Sequence, residues 1–262
     1  MMHRWFRAKE YFKYLSSAWG IHSIHSPFIY DFFKEVLLDR RRFYCYDEIE
    51  DLRKQLLHSD STTTVKDLGA GSEVFTSENR KVKSIARHSA TSAEYAQLLF
   101  RTGNHFSSKK VLELGTSLGL TTLYFSSISN DAKVITLEGD PNLAKMSSEN
   151  FLRLKKNNIM LLNGPFNEKL PVALSLLKSV DLVYMDGDHG KEPTRLYFNI
   201  LHPYIHENTI LVIGDIHWSP GMKAIWKEIA AHAQVTASID LFYLGIIFFR
   251  KELSRETFIL RF

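Results

Sequence analysis

The chain has 262 residues, 45% of them hydrophobic, with a formal net charge of +4 and one cysteine, Cys45. Such a length supports a full core in one large α/β domain with an extension, and one cysteine excludes an internal disulfide framework and fits a reducing, cytoplasmic setting. Charges interrupt residues 1–20, so a signal peptide is not expected; no later segment reads as a membrane span, and the scattered basic residues, Arg40, Arg41 and Arg42 apart, allow an acidic partner without arguing for one.

In chain order, residues up to about Leu57 read as helical and rich in aromatic side chains. Within them His22 and His25 stand before Ser26-Pro27, a helix start with Ser26 as N-cap and Pro27 in the first turn. A sharper reading puts His22 or His25 in a substrate pocket. His58 to Thr64 is polar, Ser77 to Lys83 is charged, and Ser92 to Thr102 has the period of an amphipathic helix. Residues 1–105 are therefore expected to form a helical cap.

Residues 106–262 alternate short apolar runs with longer amphipathic ones, the pattern of βαβ units in a mostly parallel sheet with helices on both faces. Strands are expected at Lys110 to Leu114, Lys133 to Glu138, Ile159 to Leu162, Asp181 to Asp186 and Thr209 to Asp215. The helices between them span Leu120 to Ile128, Pro141 to Lys156, Glu168 to Leu177 and Glu192 to Tyr204. After a helix at Gly221 to His232, the segments Val235 to Phe242 and Gly245 to Arg250 read as a terminal hairpin pair, giving seven strands.

The most informative stretch is Val111 to Thr122, VLELGTSLGLTT, where an apolar run ends at Glu113 and turns through Gly115 and Gly119 into an amphipathic segment. Such a turn brings backbone N–H groups close to a ligand. Val65 to Ser72, VKDLGAGS, imitates it, but polar residues precede it and no second acidic strand end follows at the right distance. One glycine-rich match alone is weak evidence, so Asp67 to Gly71 reads as a loop near the site. A dinucleotide fold is disfavoured because its fingerprint is Gly-x-Gly-x-x-Gly, whereas here the glycines stand four apart with Thr116, Ser117 and Leu118 between them.

Taken with Glu138 closing the second strand, Asn163-Gly164 after the third and Asp186-Gly187-Asp188-His189 after the fourth, the glycine turn gives four features in register. On these residues the segment 110–250 resembles a class I S-adenosylmethionine-dependent methyltransferase of Rossmann-like fold, closest to the small-molecule O-methyltransferase branch. The resemblance implies a cofactor site of Glu113, Gly115, Thr116, Ser117, Gly119, Glu138, Gly139, Gly164, Pro165, Phe166 and Asp186. Glu138 would accept from the ribose hydroxyls, Glu113 would orient the loop and meet the amino group of the methionine part, and Phe166 would face the adenine. A Pro-Pro-aromatic motif is absent after Asp186, which argues against amine chemistry on bases.

The catalytic candidates are Asp186, His189, Asp215 and His217, at the ends of the fourth and fifth strands where open α/β sheets place ligands. Metal-dependent members of that branch carry two adjacent hard ligands after strand five, whereas Gly214 and Ile216 flank Asp215 here. Two mechanisms stay open: Mg²⁺ held by Asp186 and Asp215, with Asp188 a further oxygen donor, or a general base at His189 or His217. Asp188 and the histidines also suit helix caps. The expected acceptor is a small-molecule hydroxyl, in a chain that could self-associate. RNA or protein methylation, and a nonenzymatic protein docking on a membrane or partner through its N-terminal helix, are the alternatives.

Overall fold

A computed structural model describes residues 2–20, 23–66 and 77–262. His22 and the Asp67 to Gly71 loop lie outside the described residues. In chain order, α1 (Met2–Ser17) and α2 (Pro27–Phe32), the latter running into a π-helical turn at Phe33–Leu37, precede α3 (Tyr46–His58), β1 (Thr62–Thr64), β2 (Asn79–Lys81), α4 (Val82–His88) and α5 (Ala93–His105). There follow β3 (Lys110–Leu114), α6 (Leu120–Ser126), β4 (Lys133–Glu138), α7 (Pro141–Arg153), β5 (Ile159–Asn163), α8 (Phe166–Leu177) and β6 (Val180–Met185). The chain ends with α9 (Lys191–Leu201), β7 (Ile205–Gly214), α10 (Pro220–Ala230), β8 (Ala237–Asp240), β9 (Leu244–Phe248) and β10 (Glu256–Ile259).

The chain divides into two compact units, one of Arg40–Leu177 and one of Met1–Asp39 with Lys178–Phe262. Residues 1–105 are thus shared between the two.

In the Arg40–Leu177 unit, β3, β4 and β5 pair in parallel, with Glu113 beside Thr136 and Glu138 beside Asn163. Val111, Leu112, Val134, Ile135 and Leu137 are fully buried, the continuous apolar run of a parallel strand covered on both faces. The first two strands have the expected bounds. The helix expected to reach Ile128 stops at Ser126, where the Ser126 and Ser127 hydroxyls both donate to Leu123 O and offer the backbone a competing partner. Caps fix two other starts: Ser92 accepts from Tyr95 N–H on α5, and Asp140 accepts from Asn142 and Leu143 N–H on α7. An antiparallel pair, β1 with β2, lies in what reads as polar loop; three consecutive threonines supply the β-branched preference that their polarity hides.

In the other unit the strand order is β10-β8-β9-β7-β6. β6 and β7 are parallel, β9 is antiparallel to both β7 and β8, and β10 is parallel to β8. The expected hairpin pair is present, closed by Leu241 N–H donating to Leu244 O. β10 is an additional strand, so the seven strands expected of residues 106–262 become eight there, beside the separate β1–β2 pair among the described residues. It escapes a periodicity reading because only Phe258 of its four residues is buried. α1 is tied down by Tyr14, whose hydroxyl donates to Leu260 O at 2.6 Å and packs on Phe242. Ser26 stands at the N-cap of α2 with Pro27 following, yet the Ser26 side chain makes no cap bond; His25 is exposed.

Candidate active site

In the Arg40–Leu177 unit the turn after β3 is folded back on β4. Gly115 and Thr116 N–H both donate to Leu137 O, and Gly119 N–H donates to Thr116 O. Gly115, Ser117 and Gly119 have φ of 103°, 50° and 80°, the left-handed region that glycine enters at no cost from a Cβ. A Cβ at Gly119 would lie 2.4 Å from Phe151 of α7. The absent side chain is therefore required by helix packing, a reason the spacing of the glycines does not reveal.

Glu113 is fully buried, and its Oε2 accepts from the Thr122 and Thr136 hydroxyls. Thr136 also bonds Thr116 across 2.6 Å, so the Thr116 side chain faces inward as well. This threonine network joins β3, β4, α6 and the turn. Ser117 Oγ, by contrast, is buried with no hydrogen-bond partner.

Glu138 closes β4 and is 8% exposed. Its Oε2 accepts from Ser117 N–H at 2.7 Å and its Oε1 from Asp140 N–H at 3.0 Å, which fixes the carboxylate plane. Burial pushes its pKa up, against the lowering effect of those N–H groups. Asn163 clamps the neighbouring strand ends by donating from Nδ2 to Glu138 O and Gly139 O. Gly164, Pro165 and Phe166 follow at the start of α8, with Phe166 half-buried. Asp140 was missed as a participant: besides capping α7 it accepts from Lys66 N–H at 2.8 Å. The Asp140-Pro141 pair is the N-cap signature that could have found it.

In the other unit, Asp186 follows β6 and Asp215 follows β7. Ligand atoms of Asp186, His189 and Asp215 all lie within 4.8 Å of one another, each residue half-buried. Gly214 makes this possible, since a Cβ there would fall 2.3 Å from Asp186 Oδ1. Gly214, beside Asp215, thus leaves open the space that Asp186 fills. Asp215 has φ 53° and donates its N–H to Tyr243 O. Burial raises its pKa; His189 and Arg7 oppose this and the charge of Asp186 adds to it. His189 Nε2 stands 3.7 Å from Asp215 Oδ2, and the Arg7 guanidinium lies 4.0 Å over the Trp218 ring, which neighbours His189. Arg7, from α1, has no sequence signal beyond its helix.

Two other expected residues point elsewhere. His217 is buried against Phe242, with Nε2 bonded to Asp240 Oδ2 at 2.7 Å and Nδ1 3.8 Å from Glu10 Oε2. It is not brought together with Asp186. Asp188 accepts from the Tyr197 hydroxyl at 2.9 Å, and Gly190, not Asp188, is the N-cap of α9.

Residues 112–216 match the model of a methyltransferase domain, whereas no curated protein matches the chain. Among solved structures, the SAH-bound methyltransferase PaMTH1 of Podospora anserina aligns with TM-score 0.59 at 15% identity, over 82% of this chain and 92% of its own. The O-methyltransferase TomG of Streptomyces achromogenes, involved in tomaymycin synthesis and solved with SAM, gives 0.57 at 14% over 84% and 95%. An O-methyltransferase of Bacillus cereus in complex with SAH gives 0.52 at 14% over 83% and 96%. With the parallel strands and their ordered ends, these likenesses establish the fold: a mostly parallel, Rossmann-like sheet of the kind those methyltransferases carry.

Proposed function

We propose that the protein transfers a methyl group from S-adenosylmethionine to a hydroxyl of a small molecule. The observation that carries this reading is the convergence of Asp186, His189 and Asp215 within 4.8 Å at the ends of β6 and β7. TomG and the Bacillus cereus enzyme, which share the fold, are O-methyltransferases.

The glycine turn and the β4 end fit the donor. Glu138 offers a carboxylate oriented by two N–H groups to ribose hydroxyls, and the partnerless Ser117 Oγ is a polar group that a ligand would satisfy. Gly139, Gly164, Pro165 and Phe166 would line the base. Of the two roles expected of Glu113, its threonine network supports orienting the turn. When bound, S-adenosylmethionine supplies an electrophilic methyl group on a sulfonium.

His189 takes the proton of the acceptor hydroxyl, and Asp215, 3.7 Å from its Nε2, holds the ring beside the acceptor. Asp186, held in the space left by Gly214, orients the acceptor. His217 acts as a positioning residue that secures α1 and β8. A second reading is favoured by the same geometry, because two carboxylate oxygens and an imidazole nitrogen fit a divalent cation, and that nitrogen suits Mn²⁺ or Zn²⁺ better than Mg²⁺. Such a cation would lower the pKa of the acceptor hydroxyl.

Calorimetry with S-adenosylhomocysteine and turnover of a panel of hydroxylated small molecules test the proposal. Binding by the wild-type chain, together with loss of turnover in His189→Asn and Asp186→Ala variants that still bind, is the expected result. A chain that does not bind S-adenosylhomocysteine overturns the donor, and a fully active His189→Asn variant overturns the acid–base assignment. Turnover that survives a chelator removes the cation.

A further inference from the structure

Helix α1 has two unlike faces. Inward, Glu10 and Tyr14 are buried: Glu10 pairs with Lys223 of α10, Tyr14 bonds Leu260 O, and Arg7 lies over Trp218. Outward, Trp5 is 78% and Phe12 72% exposed. These two aromatics are seven residues apart, two turns along one side of the helix, with exposed Lys9 between them and exposed Lys13 beside Phe12. The one acid of the helix, Glu10, is turned inward, where it pairs with Lys223 and also with Lys13 at 3.3 Å, so a single carboxylate serves two lysines and α1, with Arg7 and Lys9 besides, keeps an excess of positive charge.

Scattered exposed hydrophobic residues need no explanation. Two aromatic rings on one stripe flanked by lysines, on a helix clamped so that this stripe faces out, are a different matter. We infer that this face of α1 seats the protein on an anionic lipid surface, with Trp5 and Phe12 entering the headgroup boundary and Lys9 and Lys13 meeting lipid phosphates.

The charge decides between a lipid surface and a second copy of the chain. A two-fold contact through this stripe would bring the Lys9 ammonium groups of both copies into one small interface, like charge with like. An anionic surface neutralises them while the rings lose contact with water. No helix of the described chain is long and apolar enough to cross a membrane, so attachment would be peripheral. The inference is independent of the methyltransferase reading, because binding is measured without turnover.

The test is sedimentation of the full chain with phosphatidylcholine vesicles, with and without phosphatidylglycerol, at low and high salt. Co-sedimentation confined to anionic vesicles and weakened by salt is expected. The Trp5→Ala/Phe12→Ala double variant should lower the partition coefficient by about tenfold, and Lys9→Glu by about fivefold or more. All variants should bind S-adenosylhomocysteine as the wild type does, if the donor assignment is right; a matching melting temperature checks their folding whether or not it is. Three results overturn the inference: no sedimentation with anionic vesicles, undiminished sedimentation of the double variant, or a wild-type dimer that the double variant abolishes.

Discussion

Asp186 Oδ1 stands 2.3 Å from where a Cβ at Gly214 would lie. The two residues close neighbouring parallel strands, and the carboxylate of one fills the side-chain space of the other. In Gly214→Ala the added methyl would displace Asp186 from the cluster with His189 and Asp215. Misplacement on this scale costs about 100-fold in rate. The expected outcome is a kcat lower by about that factor with unchanged affinity for S-adenosylhomocysteine, measured by steady-state kinetics and calorimetry.

Glu138→Gln should weaken donor binding. A hydrogen bond to a charged acceptor is worth about 1.5–3 kcal/mol, so calorimetry should show S-adenosylhomocysteine bound about 10- to 100-fold more weakly. Retained affinity would remove Glu138 from the cofactor site.

Gly119→Ala tests whether that glycine serves packing. Its φ of 80° and the 2.4 Å approach of a Cβ to Phe151 should together destabilise the fold by about 2–3 kcal/mol. Phe151→Leu, which relieves the clash but not the backbone strain, should recover part of the loss in the double variant. Thermal melts of the four proteins of this cycle supply the coupling.

Glu10 predicts a pH dependence of stability. Burial would raise its pKa, but its bond to Lys223, with Lys13 adding, holds it below the usual carboxylate range. A depressed folded-state pKa contributes stability above the unfolded value, and that contribution is lost as pH falls through the folded one. Lys223→Met should therefore cost about 1–3 kcal/mol near neutral pH, and less as the pH is lowered below 4. Melting temperatures of both proteins across that range measure it; a constant difference would show that the pair is not responsible.

Much of the parallel core was legible because apolar runs of five or six residues have no other place than a sheet covered on both faces. β3 and β4 are examples, and the ends of those strands locate Glu113 and Glu138. The edges were less legible. β10 was hidden because a strand held mainly by backbone bonds needs few buried side chains, and β1 was hidden by hydroxyls.

The sequence by itself determined the order of strands and helices from Lys110 to Phe248, the glycine turn and the positions of the strand-end carboxylates, because local periodicity and turn chemistry act over a few residues. Tertiary structure decided what each side chain faces. Glu113 turned to threonines from β4 and α6, and His217 turned to Asp240 and Glu10, 207 residues away along the chain. Asp186, His189 and Asp215 met. A hydrogen bond or a steric vacancy between distant segments leaves no period in either segment, so Gly214 read as a missing ligand until the strand beside it showed which carboxylate it accommodates.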